Sequence, residues 1–377
     1  MPHSHPTNTS LSELHLTGIP GLQHLHHWIS IPFCIMYLVA LAGNSTFLCM
    51  IKADPSLHLP MFLFLSMLAV IDLVMSTSIT PKMLGIFWFH STAISLDACL
   101  TQMYFVHAFS VMESGVLVAM AFDRYVAICN PLRYSSILTS PIVAALGLAT
   151  LLRAVVFMSP LTFQIRRLPL CSLAVMDHSY CEHMAMLKLA CRDAAFSNTY
   201  SLSVSTYVVS FDSLLIALSY TLILRAVLSL SSPQACKKAF STSSSHLCIM
   251  ALFYIPGLLS MYMERYHQQL PHHVRGGDLL ADLYLLIPPA FNPLIYGIRM
   301  KQIRDGVRRA ISQRRRMAGG IGPGLGHRAG TYEDKVSSLE WPKPLLDLGV
   351  ALSVKSSQWK WQSVPLCRSA TEASTDS

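Results

Sequence analysis

Charged residues are scarce in this chain of 377 residues. Asp, Glu, Lys and Arg make up 13% of the sequence, against about 25% in an ordinary soluble protein. Hydrophobic residues reach 52%, and the mean hydropathy is +0.44. Because so few charges cannot cover the surface of a soluble protein of this size, the composition predicts a membrane protein. It also excludes disorder for most of the chain.

The sequence lacks the short motifs of familiar enzymes. No two of the 16 histidines are four residues apart, as zinc ligands on one helix would be. Neither a Gly-x-Ser-x-Gly motif nor a phosphate-binding loop occurs. His178, Cys181 and His183 could bind copper or zinc, but a disulfide at Cys181 would remove that alternative. We therefore expect neither an enzyme nor a bound metal.

Long apolar segments are abundant, and a spanning helix needs about 20 mostly apolar residues. The sequence contains seven such segments: Ile29–Ile51, Pro60–Phe87, Cys99–Phe122, Pro141–Phe163, Ser197–Leu224, Ala239–Met263 and Leu279–Ile298. No internal repeat relates them, which disfavours a transporter built from duplicated halves. A channel would have polar residues along several helices. The pattern predicts an all-α membrane protein, a bundle of seven transmembrane helices.

Basic residues indicate the orientation of this bundle. Lys52, the first Lys or Arg of the chain, follows the first segment, which argues against a cleaved signal peptide and places the N-terminus outside. With this topology the inner loops and flank hold 14 basic residues and the outer loops six. We expect an extracellular tail over residues 1–28, glycosylated at Asn8, and a receptor domain over 29–298. Asn44 also fits the glycosylation pattern but lies within the first segment.

The C-terminal part differs in composition from the bundle. Residues 299–316 hold eight Lys or Arg and one acid, Asp305. Such a run could bind nucleic acid, but its place directly after an apolar segment favours a cytoplasmic flank that contacts anionic lipid. Residues 317–377 are rich in Gly, Ser and Pro without helical periodicity, and we expect them to be disordered.

Several motifs in register resemble one family. The third segment ends in Asp123-Arg124-Tyr125, within Met120-Ala-Phe-Asp-Arg-Tyr-Val-Ala-Ile-Cys-Asn-Pro131. Others are Pro60-Met-Phe-Leu-Phe-Leu-Ser66, Ser219-Tyr220, Lys238-Ala-Phe-Ser-Thr242 with Ser245-His-Leu247, and Pro289-Ala-Phe-Asn-Pro-Leu-Ile-Tyr296. Together they resemble odorant receptors of the rhodopsin-like G-protein-coupled superfamily, from about Leu16 to Arg304. Cys181-Glu-His-Met184 and Leu283-Tyr-Leu-Leu286 are similar to class I, the fish-like receptors.

The resemblance implies a plasma-membrane receptor that senses a small odorant. It implies a volatile or carboxylic-acid-like ligand in the outer half of the bundle, and a stimulatory G protein of the olfactory type that raises cyclic AMP. Its cytoplasmic switch would comprise Asp123, Arg124, Tyr125, Tyr220 and Tyr296. The alternative for Arg124 is an ordinary basic residue flanking a membrane helix. The partners would be odorant, G protein and membrane lipid, without nucleic acid.

Two carboxyl groups lie inside predicted helices, where charge is costly and marks function by default. The resemblance places Asp72 and Glu113 close to Asn292, and a sodium ion or a shared proton could sit there. The alternative is one protonated carboxyl group that is hydrogen-bonded across the bundle. Otherwise we expect no cofactor.

Four cysteines belong to the oxidising outer side. They are Cys99, at the start of the third segment, and Cys171, Cys181 and Cys191 in the long second outer loop. The residues alone leave three pairings open. The family resemblance selects Cys99–Cys181 and Cys171–Cys191.

Candidate ligand-binding residues lie on two segments. His107 and Val111 share one face of the third segment with Ser114, at spacings of four and three residues. Met261 and Arg265 follow at the outer end of the sixth. The resemblance to class I receptors implicates the position of Arg265 in holding a carboxylate, which a guanidinium can grip with two hydrogen bonds. The alternatives are an Arg265 paired with Glu264 or lipid, and a His107 that only packs in the core.

Overall fold

The structure, a computed structural model, describes residues 13–170, 175–191, 194–228, 233–266, 277–299 and 303–306. Seven helices in it are long and apolar enough to cross a membrane. These are α1 (His26–Ala53), α2 (Pro60–Phe89), α3 (Leu96–Cys129), α5 (Ser140–Arg167), α7 (Ala195–Leu228), α8 (Pro233–Tyr266) and α9 (Gly277–Arg299). Two short helices, α4 (Tyr134–Ile137) and α6 (His183–Lys188), lie in the connections on either side of α5. The predicted seven-helix bundle is confirmed.

The helices run beyond most of the apolar segments that predicted them. The third segment, predicted over Cys99–Phe122, belongs to a helix that begins at Leu96 and continues to Cys129. Ser95 caps its start, where the hydroxyl accepts a hydrogen bond from the Ala98 N–H at 3.3 Å. Hydropathy marks only the part of a helix that lies in hydrocarbon, whereas the backbone hydrogen bonds of the helix continue into the polar flanks.

Helix α3 runs through the centre of the bundle. It packs against α2, α5 and α7, while α1 packs against α2 and α9. The interior is apolar and includes Phe64, Leu68, Ile79 and Met120, each no more than 1% exposed. Large apolar side chains also cover the outward faces, for example Leu38, Val156 and Leu214. Such faces are stable in the hydrocarbon of the bilayer, because no water is present there to disfavour exposed apolar side chains.

A small three-stranded sheet covers one end of the bundle, and the sequence analysis did not predict it. Strand β1 (Glu13–Leu16) lies between β2 (Ala93–Ser95), to which it is antiparallel, and β3 (Val175–Met176), to which it is parallel. Part of the predicted N-terminal tail, residues 13–28, is therefore ordered against the first two outer loops. Leu14 and Leu16 are fully buried beneath the sheet.

The chain turns from this sheet into α1 at Gly18, whose φ is +80°. A side chain there would be strained by the backbone, and its Cβ would lie 2.5 Å from the His26 ring. The His26 Nε2 in turn accepts a hydrogen bond from the Ile19 N–H at 3.3 Å. Glycine thus lets the N-terminal segment turn closely over the start of α1.

Predictions for the C-terminal part fall largely outside the described residues. Only Arg299, at the end of α9, and residues 303–306 belong to the described part of the basic flank. The tail over 317–377 and Asn8 also lie outside it. The domain boundaries stay predictions.

Candidate functional site

A cavity of about 200 Å³ lies between the central and later helices, beneath the second outer loop. Most of its wall is apolar, as in ordinary small-molecule sites. The apolar part includes Val106, Val111, Met158, Leu161, Val204, Val208, Phe253, Leu258, Met261 and Leu285. The polar part includes His107, Ser110, Ser114, Glu182, His183, Tyr200, Ser201 and Tyr254.

Three of the four predicted ligand-binding residues are on this wall. His107 and Val111 are contributed by α3, and Met261 by the last turns of α8. The Nε2 atom of His107 is buried and has no hydrogen-bond partner among the described residues. Arg265 belongs to the final turn of α8, and its side chain lies outside the part that the structure describes.

A polar network forms the deep end of the cavity. The Arg153 guanidinium donates to both carboxylate oxygens of Asp212, at 2.7 and 2.9 Å, and to the Val111 carbonyl at 2.9 Å. The Ser114 hydroxyl donates to Asp212 at 2.5 Å and lies 2.8 Å from the Tyr254 hydroxyl. The network therefore joins α3, α5, α7 and α8.

This network was not predicted from the sequence. Arg153 and Asp212 were visible as single charges inside the fourth and fifth segments. Opposite charges at membrane depth are a signal for pairing, because each is costly to bury alone. However, Asp72, Glu113, Asp212 and Asp282 all lie inside predicted segments, and helix rotation decides which of them meets Arg153.

The outer end of the cavity is closed by the second outer loop. Cys99 and Cys181 form a disulfide, with an S–S distance of 2.01 Å, as predicted. The Gln102 side chain supports the same point, since its carbonyl accepts from the Cys181 N–H at 2.9 Å and its amide donates to the Ser78 carbonyl at 2.7 Å. Ser179 donates to the buried Asp282 of α9. The loop is thus attached to α2, α3 and α9.

The second predicted disulfide is not tested, because Cys171 lies outside the described residues. Cys191 is itself disulfide-bonded. With Cys181 bonded to Cys99, no thiolate remains there for a metal. Among the described residues, no group of three His, Cys, Asp or Glu side chains could hold a metal ion.

Glu182 is a buried carboxylate in the part of the second outer loop that closes the cavity (residues 178–183). It is 4% exposed, and its Oε2 accepts from the Ala185 N–H at 2.6 Å, which caps α6. Burial alone would raise the pKa of Glu182. Attraction to His178, His183 and His107 and a backbone hydrogen bond outweigh it, so the pKa lies below its usual range. The carboxylate is therefore ionised at neutral pH.

The predicted intramembrane polar site is assembled around Asp72. The Asn292 amide donates to both of its carboxylate oxygens, at 3.1 and 3.2 Å. Asn44 lies close by and donates to the Ala40 and Pro289 carbonyls at 3.0 Å, so it is a buried packing residue. Glu113 is buried and close enough to Asp72 for electrostatic interaction. The structure thus brings Asp72, Glu113 and Asn292 together, and the sodium ion or shared proton stays a prediction.

The predicted switch residues meet at the opposite end of the bundle. Arg124 donates to Asp123 Oδ2 through Nε at 3.0 Å and Nη2 at 2.7 Å. Tyr220 and Tyr296 are close enough to Arg124 for electrostatic interaction, whereas Tyr125 packs its ring on Phe122.

Two further residues at this end were missed. Tyr134 of α4 donates to Asp123 Oδ1 at 2.7 Å, so each oxygen of that carboxylate has a donor. His246 of α8 is 2% exposed, interacts electrostatically with Arg124 and packs its ring 6.0 Å from that of Tyr296. His246 belongs to a motif quoted above, whereas Tyr134 lies three residues beyond the stretch that ends at Pro131. Only the path of the chain reveals that they converge on one ion pair.

Comparison with known proteins gives a consistent result. A family model described as "Olfactory receptor" matches residues 33–314. Human olfactory receptor 52K2 is 51% identical over 307 residues, covering 81% of this chain and 97% of that protein. Human olfactory receptor 52R1 is 53% identical over 292 residues, covering 78% and 92%. Squid rhodopsin has a similar fold, with a TM-score of 0.63 and 15% identity over 78% of this chain and 87% of that one.

Proposed function

The chain belongs to the olfactory receptor family, in class I, and from this premise we propose that its cavity binds a small odorant and thereby activates a stimulatory G protein of the olfactory type. As a member it is a seven-span receptor of the plasma membrane and not an enzyme. The family implies an odorant ligand and coupling to a G protein. The ligand class and the type of G protein are our proposal.

The observation that carries the ligand proposal is the unsatisfied His107 Nε2 in an otherwise apolar wall. A buried polar atom without a partner is costly, and a ligand oxygen beside it would remove that cost. The cavity has a volume of about 200 Å³. A short aliphatic molecule with one oxygen-bearing group fits this size and polarity.

Arg265 is the second anchor in this proposal. It follows Met261, which lines the cavity, by one helical turn at the end of α8. An acidic odorant would place its carboxylate against the Arg265 guanidinium and its alkyl chain between Val111 and Met158. The planar guanidinium suits this task because it can donate two parallel hydrogen bonds to one carboxylate.

Helix α8 provides a route from the cavity to the switch. It carries Tyr254 and Met261 on the cavity wall and His246 beside Arg124. A ligand that favours a displaced position of α8 would change the surroundings of the Asp123–Arg124 pair, and so free Arg124 for a G protein. The ligand shifts the equilibrium only by its difference in affinity for the two positions.

The test is a cyclic-AMP assay in cells that express the chain, with short aliphatic acids compared with their alcohols and methyl esters. At equal surface level, Arg265→Ala should weaken the response to an acid far more than to its ester. Loss of such a pair costs about 2–5 kcal/mol, or roughly 30-fold to several thousand-fold in affinity. Arg265→Lys should recover part of the loss.

Two results would contradict the proposal. An equal shift for acid and ester in Arg265→Ala would assign Arg265 a structural or lipid-facing role. Absence of any cyclic-AMP response across the panel, or ion flux in cells without the G protein, would contradict the receptor mechanism itself.

A further inference from the structure

Glu182 is an unusual component of the cavity wall. Among the lining residues that the structure describes, it is the one Asp, Glu, Lys or Arg. Within the described part of the chain, the Arg153 guanidinium does not offset it directly, because that group is engaged by Asp212 at the deep end. A buried anion in an apolar wall repels a second anion strongly, since low dielectric surroundings screen little.

The basic groups that act on Glu182 are imidazole rings. His107 of α3 and His183 of α6 both line the cavity, with their rings 6.4 Å apart and nearly perpendicular. Both interact electrostatically with Glu182, as does His178. The Nε2 of His107 has no hydrogen-bond partner among the described residues, so it is open to a ligand. A ligand oxygen and the Glu182 carboxylate therefore act on the same imidazole ring.

We propose, on the basis of the odorant site proposed above, that Glu182 sets the preference between neutral and acidic ligands by competing with a ligand carboxylate for the His107 imidazole. A carboxylate ligand that binds beside His107 meets the like charge of Glu182, which acts on the same ring. An alcohol, aldehyde or ester carries no charge, so it hydrogen-bonds to His107 without this competition. Glu182 thus disfavours a ligand carboxylate beside His107 relative to a neutral group there, and an acid that binds has Arg265 as its anchor.

The variant that isolates this effect is Glu182→Gln. The side-chain carbonyl of Gln can still accept the hydrogen bond from the Ala185 N–H that caps α6, so only the charge is removed. Asp97→Asn is the matched control, because Asp97 also lies at the outer end but is 76% exposed and pairs with Arg166 outside the cavity. His107→Phe keeps a ring of similar shape and removes the competing group.

The probes are hexanoic acid and methyl hexanoate, which differ in charge and not in chain length. Affinity is measured as ligand-dependent thermal stabilisation of the purified full-length receptor, which requires no G protein. We expect Glu182→Gln to raise the affinity for the acid relative to the ester at least tenfold, and Asp97→Asn to leave the ratio unchanged. In Glu182→Gln combined with His107→Phe, most of the gain should disappear.

Three other outcomes would contradict the inference. An unchanged acid-to-ester ratio in Glu182→Gln would show that the carboxylate does not act on the ligand. If both probes still bind in that case, the proposed odorant site is retained. A gain that persists without His107 would exclude competition for that ring. If neither probe stabilises any variant, the cavity does not take such ligands, and the proposed function fails together with the inference.

Discussion

Three acidic side chains inside the bundle each have a partner within hydrogen-bonding distance. Asp212 has Arg153, Asp123 has Arg124, and Asp72 has the amide of Asn292. A charge in the membrane interior is costly, and removing one partner leaves the other uncompensated. These pairs are therefore the positions where a single substitution has its largest effect.

We expect Arg153→Met to destabilise the receptor by about 3–5 kcal/mol, the usual cost of breaking a buried ion pair. The reason is that Asp212, 1% exposed, would lose a cation that contacts both of its oxygens. Thermal unfolding of the solubilised receptor measures the effect, and the double variant with Asp212→Asn should recover much of it.

The pair of Arg166 with Asp97 is the control for this prediction. Its side chains are 65% and 76% exposed, and exposed pairs contribute about 0–1 kcal/mol. Arg166→Met should thus cost less than about 1 kcal/mol. Equal losses in Arg153→Met and Arg166→Met would mean that the network at the deep end of the cavity adds nothing to stability.

We expect Tyr134→Phe to raise basal cyclic AMP several-fold. Burial and the nearby Asp123 carboxylate raise the pKa of Tyr134, so its hydroxyl keeps the proton that it donates to Asp123. A hydrogen bond to a charged group contributes about 1.5–3 kcal/mol. Without it, Asp123 is less firmly oriented toward Arg124, and the released state of Arg124 becomes more populated.

The measurement compares basal and ligand-stimulated cyclic AMP at matched surface level. Ser136→Ala is the control, since it also removes a hydroxyl from α4, but one that donates to the Arg133 carbonyl. Arg124→Ala should abolish the response while ligand binding persists, because the cavity lies at the other end of the bundle. Basal activity equal to that of the unmodified receptor would remove Tyr134 from the switch.

Among the elements, the outer sheet is the one that the sequence indicates least, although it has a clear structural effect. Strand β1 joins β2 and β3, which belong to two different loops, and buries Leu14 and Leu16. Thr17 continues the connection, because its hydroxyl donates to Asp177 at 3.2 Å. The N-terminal segment is thus part of the structure that holds the second outer loop over the cavity.

We expect Leu16→Asp to detach β1 and to reduce both surface level and ligand-dependent stabilisation. A carboxylate at a fully buried position would lack a partner, and such burial costs several kcal/mol. His15→Asp is the matched control, because residue 15 is exposed on the opposite face of the same strand. Comparable losses in both variants would indicate that the charge, and not the burial, is responsible.

At the scale of the whole molecule, the two ends of the bundle differ in chemistry. The end with the sheet and the Cys99–Cys181 disulfide holds the cavity, and the other holds the Asp123–Arg124 pair. Disulfides persist in oxidising compartments, and the excess of basic residues lies in the loops predicted to be inside. Both features agree with an outer ligand site and a cytoplasmic switch.

We expect an epitope added before Met1 to stain unpermeabilised cells, and one added after Ser377 to stain only permeabilised cells. The physical basis is the distribution of 14 and six basic residues between the two sides. Asn8→Gln should remove the mass shift that is sensitive to glycosidase. Staining of the N-terminal epitope only after permeabilisation would contradict the topology.

The number of spans and the family follow from the amino-acid sequence, and the loop charges predict the orientation. Each spanning segment is a local property, because hydrocarbon demands about 20 consecutive apolar residues whatever the neighbours are. Loop charge is equally local. The helix ends were predicted less well, since the caps and flanks of a helix lie outside the hydrocarbon, as at Ser95 and Cys129.

Which polar residues meet depends on how the helices pack, and this could not be predicted from the sequence. Arg153 faces Asp212 because of the rotation of α5 and α7, and Tyr134 reaches Asp123 because the chain turns back beneath α3. Likewise, Glu182 borders the cavity because the disulfide draws its loop over α3. Such contacts join residues far apart in sequence. They are specific because a buried polar or charged group that lacked its partner would cost several kcal/mol.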